Sequence, residues 1–348
     1  MKTDFTLKEF LGEEWESSQT ELAGLAKTNQ AEVHWAVKVL SFLGAWLAAL
    51  LLMLFLALTG LLESEGVMLG LGVLLTAVAV WVGRVEKISP IAEPFFLSVG
   101  LIGQCLFVAG VILLLDGVQE LPILLLIAAL ELVILIFSQS QLQRFVSVVA
   151  VVFCLYGIVI EIEIPQLIHF ITGLLAAGLV YMWVFKEKLV YQVRWINGYF
   201  DAVAYSLAFS LIGVLAVSVN RDFYHEYFDP RWWWVTSGFI IFSLLFALYF
   251  ALENFQLQNK KWLVLGLCLL ILLPTLPAPG IAASLLFLVV GSYHGEKILV
   301  GVGVIAGVVF ISYFYYNLQV SLLHKSFYLM GAGLLFFLFR IWVKKARS

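Results

Sequence analysis

Charge is scarce in this chain. Only 12% of its 348 residues are Asp, Glu, Lys or Arg, against about a quarter in an ordinary soluble domain. The formal net charge is −3, so there is no basic surplus with which to hold a nucleic acid. Cysteine is equally sparse. Cys105, Cys154 and Cys268 each stand inside an apolar run, and none has a partner at metal-ligand spacing. They read as small apolar residues. The five histidines, His34, His169, His225, His294 and His324, are scattered, with no HExxH or HxH among them. There is no GxSxG elbow, no Walker loop and no dinucleotide fingerprint. No catalytic, cofactor-binding or metal site is therefore expected, no cofactor is implied, and the chain does not read as an enzyme.

What the chain has in abundance is apolar length. Hydrophobic residues make up 63% and the mean hydropathy is +1.02. A spanning helix needs about 20 apolar residues. Twelve candidate runs are present, at 37–62, 67–83, 95–115, 121–138, 145–160, 166–185, 200–219, 232–251, 262–276, 278–293, 298–316 and 326–343. Polar or proline-bearing breaks separate them, among them "ESEG" at 63–66, "EIEIPQ" at 161–166 and "KEKLVYQVRWING" at 186–198. The ninth and tenth runs are short and meet at "PTLPAPG", 274–280. Three prolines there cannot continue a regular helix, so the tenth run either crosses as a short helix or dips in and returns. The fold class expected is all-α: a polytopic helical membrane protein with about twelve transmembrane helices.

Basic residues orient it. With twelve crossings and both termini cytoplasmic, 17 of the 20 Lys and Arg residues fall inside, and only Arg221, Arg231 and Lys325 fall outside. That is the bias expected of loops retained on the cytoplasmic side. Residues 1–34 are polar and rich in Glu, with Phe5, Leu7, Phe10, Leu11, Trp15, Leu22 and Leu25 at irregular helical spacing. They read as a cytoplasmic helical segment rather than a signal peptide. Residues 35–348 form the transmembrane bundle, and the first run is expected to stay in place as an anchor.

Few polar residues lie deep. Glu131, in "LPILLLIAALELVILIFSQ", sits near the middle of the fourth run. A charge at mid-bilayer costs about 2.5–3.5 kcal/mol on insertion scales, so Glu131 is expected to face protein or water and to carry a proton. It is either a proton or cation site or a carboxyl bonded to a neighbouring helix. Asp201 heads the seventh run, where a carboxylate suits a helix N-terminus. Gln104 and His169 read as interhelical hydrogen-bond partners. The aromatic cluster "YHEYFDPRWWW", 224–234, reads as an interfacial belt, and "GVGVIAG", 301–307, as a close helix contact. Lys325 stands against the positive-inside trend just before the last run. Ser326 is expected to cap that helix, and Lys325 to pin the last two helices together near Tyr316 and Asn317.

Two stretches carry a family resemblance. "LGAWLAALLLMLFLAL" at 43–58 resembles the first helix of the bacterial membrane family catalogued as domain of unknown function 4401. Residues 276–340 resemble it more strongly, through the Pro-Gly break, "YYNLQVSLLHKS" and the Gly-spaced closing helix ending in Arg340. The resemblance implies a bacterial inner-membrane protein without an assigned activity. It also implies partners: another polytopic membrane protein and a periplasm-facing protein with a GDYxxLxY motif. The expected role is a non-enzymatic component of an envelope membrane complex. The alternative is a secondary transporter or channel subunit in which Glu131 binds a proton or cation.

Overall fold

The computed structural model describes residues 35–84, 92–115, 119–164, 166–192, 196–218, 232–253 and 261–317, with single positions between 326 and 341. Twelve helices are followed through it: α1 (Trp35–Leu58), α2 (Glu65–Val82), α3 (Ala92–Leu114), α4 (Glu120–Phe137), α5 (Gln141–Glu161) and α6 (Gln166–Val184); then α7 (Lys186–Gln192), α8 (Phe200–Ser218), α9 (Trp233–Glu253), α10 (Lys261–Leu272), α11 (Pro279–His294) and α12 (Lys297–Asn317). No strand occurs among the described residues. The composition requires this. In hydrocarbon a backbone amide finds no water, and a helix satisfies its own N–H and C=O groups along its length.

Among the described residues, eight helices are long and apolar enough to cross a membrane: α2 to α6, α8, α9 and α12. Three shorter apolar helical stretches accompany them, at Leu43–Leu58, Lys261–Thr275 and Pro279–His294. Leucines that would be buried in a soluble protein are exposed, Leu58 at 79% and Leu47 at 62%, because lipid solvates them as well as a core would. Of the last apolar run, positions 326, 330, 331, 333, 334, 337 and 341 are described, and all are helical and exposed. The N-terminal segment 1–34 and Lys325 lie outside the described residues.

The tenth run is helical from Pro279 onward. It forms one uninterrupted helix, α11, of 16 residues. At 1.5 Å per residue that is about 24 Å, shorter than a hydrocarbon core of about 30 Å. α11 lies within protein. Ala282, Ala283, Leu286 and Phe287 are fully buried, with α6, α8, α9 and α12 packed around the helix. The prolines fall where they cost least: Pro274 in a 3-10 turn, Leu273–Thr275, and Pro279 in the first turn of α11, whose N–H groups have no helical acceptor. Gly295 ends α11 with φ of 71°, a left-handed conformation that suits glycine, and lets Glu296 N–H reach the Gly291 carbonyl at 2.8 Å. The stretch 186–198, read from sequence as a break, is largely helical: α7 and a 3-10 turn, Ile196–Gly198.

The chain divides into two compact units, residues 1–107 and 108–348. In the first, α2 and the middle of α3 cross backbone to backbone. A Cβ at Gly103 would stand 2.6 Å from Thr76 N, and one at Gly72 would stand 2.8 Å from the Cα of Phe107. Small residues permit this approach, which lipid cannot drive but dispersion can hold. In the second unit the core runs through α5, α6, α8, α9 and α11, and Trp183, Phe200, Leu211, Ile240, Leu286 and Phe287 are its large buried side chains. The small residues of 301–307 do pack closely. A Cβ at Gly303 would lie 3.1 Å from Leu288 N, and one at Gly307 would lie 3.4 Å from the Ser284 hydroxyl oxygen.

Candidate functional site

The polar groups of the second unit gather in three places. The first is Glu131. It is 3% exposed, on the face of α4 that bears Ile134 and Ser138 and that packs on α5. Ser147, fully buried on α5, is a near neighbour whose hydroxyl makes no hydrogen bond among the described residues, and Cys154 lies further along the same helix. The sequence singled out Glu131 but not Ser147, because a serine in an apolar helix carries no hydropathy signal of its own.

The second is Arg144, 8% exposed near the start of α5. Its Nε donates to the Ser138 carbonyl at 2.7 Å and its Nη1 to the Gly198 carbonyl. The guanidinium lies 3.9 Å from the centre of the Tyr199 ring. Tyr199 in turn donates to the Ile136 carbonyl at 3.0 Å, and Gln141 Nε2 to the Gly198 carbonyl at 2.8 Å. One planar fork thus ties the end of α4, the start of α5 and the turn before α8. The sequence reading used Arg144 only as an orienting charge.

The third lies where α6, α7, α8, α11 and α12 end or begin. Lys186 Nζ is 3.0 Å from Glu296 Oε1, and the Tyr205 hydroxyl donates to Glu296 Oε2 at 2.9 Å. The ammonium stands 4.8 Å from the Trp183 ring centre, and Trp183 packs edge-on to Phe200 and Tyr205. Burial pushes the Glu296 carboxyl up, but the bonds from Lys186 and Tyr205 outweigh it and hold the group below the ordinary carboxylate range. Asp201, in the first turn of α8, is exposed and adds its charge beside Tyr205. It sits inside the helix, favoured there by the positive N-terminal end of the dipole. Ser326 is helical and exposed.

A depressed carboxylate fixes the sign of a pH effect. Stability from the Lys186–Glu296–Tyr205 contact should be fully present above the unfolded carboxylate pKa of about 4.3. It should fade as pH falls through the lower folded value. Thermal melts of the purified protein should lose stability on acidification below that point, and Glu296→Gln should lower the neutral-pH melting temperature and flatten the acid limb. A Glu296→Gln protein with an unaltered melt at neutral pH would show that the contact holds nothing.

Elsewhere the interior polar groups join helix to helix. His169 Nδ1 meets the Thr236 hydroxyl at 2.8 Å between α6 and α9, and Tyr156 meets Thr172 at 2.9 Å between α5 and α6. Gln104 is buried in the first unit. Lys261 is held by Glu253 at 2.9 Å over the Tyr249 ring. Of the aromatic cluster, Trp232 and Trp234 stack, and Trp234 is 62% exposed. Among the described residues no three His, Cys, Asp or Glu side chains converge as a metal site would require.

A bundle of long apolar helices, exposing leucine outward and joining its few polar groups inward, is a multi-pass α-helical membrane protein. The family described as Domain of unknown function (DUF4401) matches residues 34–346, and the chain belongs to that family. No curated protein and no solved structure matches it.

Proposed function

We propose that this protein is a non-enzymatic, multi-pass component of a membrane complex in the bacterial inner membrane. The observation that carries the reading is the second unit's interior. Large apolar side chains fill it, and several of its polar groups join helix to helix, as in His169–Thr236, Tyr156–Thr172 and Lys186–Glu296. Such an interior serves architecture. The proposed partners are a second polytopic membrane protein and a periplasm-facing protein with a GDYxxLxY motif. A tagged chain drawn from native membranes in mild detergent should bring both along in near-stoichiometric amounts. Recovery of the tagged chain alone, with untreated membranes cross-linking nothing to it, would sink the reading.

The proposed orientation has twelve crossings and both ends cytoplasmic. It is supported by the way Arg144, Lys186, Lys261 and Lys297 cluster at one end of the second unit. Arg144 is tied to Gly198, Lys186 to Glu296 and Phe185 to Phe250, so the ends of α4, α6, α9 and α11 share a side. A cysteine placed at Gln119 should be labelled by a membrane-impermeant thiol reagent from the periplasm, and one at Gln258 should not. Periplasmic labelling at Gln258 would reverse the orientation.

One observation favours a second reading, a transporter or channel subunit: the Glu131 carboxyl lies deep in a span with polar company on α5.

A further inference from the structure

We propose that Trp183, Phe200, Tyr205 and Glu296 form a binding site for a primary ammonium group, in which the Lys186 side chain stands as a tethered occupant that an amine can replace. The ligand class is an alkylammonium, carried by a soluble amine or by a lipid headgroup. The inference is independent of the proposed assembly and of Glu131.

The site has the parts that hold an organic cation, a carboxylate and aromatic faces. Lys186 Nζ lies 3.0 Å from Glu296 Oε1, 4.8 Å from the centre of the Trp183 ring and 5.5 Å from that of Phe200. These walls are assembled by contacts in which Lys186 takes no part. The second carboxylate oxygen, Glu296 Oε2, accepts from the Tyr205 hydroxyl at 2.9 Å, and Glu296 N–H is fixed to the Gly291 carbonyl at 2.8 Å. Trp183 packs edge-on against Phe200 at 5.8 Å and against Tyr205 at 5.6 Å. α6, α8 and the turn after α11 supply the walls, and Trp183 and Phe200 belong to the core of the second unit. Removing the lysine side chain therefore leaves the receptor standing.

Trp183 supplies a separate sign. It is fully buried, and its Nε1–H has no hydrogen-bond partner. A buried N–H without an acceptor costs stability, and phenylalanine in its place would carry no such cost. What tryptophan adds is the ring face that attracts a cation most strongly.

The occupant is held from outside rather than enclosed. The Lys186 side chain is 35% exposed and that of Glu296 26%, so an ammonium from solvent reaches the carboxylate. The flexible stem of Lys186 can swing aside without moving backbone. The Lys261–Glu253 pair is built the opposite way. There the lysine side chain is 8% exposed and the carboxylate 42%, and the ring beneath the ammonium, Tyr249, comes from the same helix as Glu253. That ammonium is enclosed, with its carboxylate outside it.

Thermal melts of the purified full chain test the site by chemical rescue. Lys186→Ala should lower the melting temperature, and methylammonium should restore at least half of the loss. A ligand of two heavy atoms reaches millimolar affinity at best, so half-restoration is expected at about 10–100 mM. Sodium and tetramethylammonium at the same ionic strength should restore nothing, since neither offers an N–H to Glu296. The rescue should vanish when Glu296→Gln is added to Lys186→Ala. Lys186→Gln keeps one donor to Glu296 and gives the same reading if Lys186→Ala does not fold. Melts in phosphatidylcholine vesicles, with and without phosphatidylethanolamine, separate the two sources. Rescue by the aminolipid assigns the ammonium to a headgroup, and rescue by dissolved methylammonium alone assigns it to a soluble amine; either supports the site. No response to methylammonium across that range, an equal response to sodium, or a rescue that survives loss of the carboxylate would each overturn it.

Discussion

Adding a single methyl group at Gly103 should unmake the α2–α3 crossing, whereas the same methyl at Gly70 should pass unnoticed. A Cβ at Gly103 would sit 2.6 Å from Thr76 N, which is backbone and cannot turn aside; at Gly70 nothing lies within 4 Å. Overpacking a tight contact costs about 1–3 kcal/mol when side chains can adjust, and more when they cannot, so Gly103→Ala should fall at or above the upper figure. Gly70→Ala should gain up to about 1 kcal/mol from the lost flexibility of glycine in a helix. Differential scanning fluorimetry of the two purified variants would compare them directly. Equal melting temperatures would mean that the helices are not in backbone contact. Gly72→Ala should behave as Gly103→Ala does, since its Cβ would meet the backbone of Phe107.

Replacing Arg144 with Met should be the most damaging single change of charge in the second unit. Two hydrogen bonds from an ionised donor to the Ser138 and Gly198 carbonyls would go, together with the stacking on Tyr199. Bonds to charged groups contribute about 1.5–3 kcal/mol each, so roughly 3–5 kcal/mol is at stake, tempered because Gln141 still serves the Gly198 carbonyl. Arg144→Lys should recover only part of it, since an ammonium cannot span two carbonyls in a planar fork. Tyr199→Phe should cost less than either, removing one bond to the Ile136 carbonyl while keeping the ring. Thermal melts should therefore rank wild type, Tyr199→Phe, Arg144→Lys and Arg144→Met in falling order. A Met variant as stable as wild type would show that Arg144 serves orientation alone.

Several elements were legible from one residue after the next. The runs at 121–138 and 166–185 became helices within a residue or two of their expected ends. The proline cluster at 274–280 reads as a break and is one: a 3-10 turn lies there, and the helix that follows starts at Pro279. The break at 186–198 does separate two spans, and it holds a short helix of its own, α7. Leu189 and Val190 pack against the core and make part of it a helix, a gain that local polarity does not reveal. His169 was expected to bond between helices, and Thr236, 67 residues away, is its partner.

The sequence by itself determined the solvent of this protein, its helical class and its family. Each follows from local quantities: apolar run length, the scarcity of charge, and motif spelling. The tertiary structure decided which polar groups meet. Lys186 and Glu296 are 110 residues apart, Arg144 reaches Gly198, and Tyr156 finds Thr172. In water an apolar stripe announces which face of a helix turns inward. In lipid the outside is as apolar as the core, so the rotation of each helix about its axis leaves almost no trace in hydropathy. It is set by where small residues let backbones approach, as at Gly72 and Gly103, and by where a buried polar group can find its one partner.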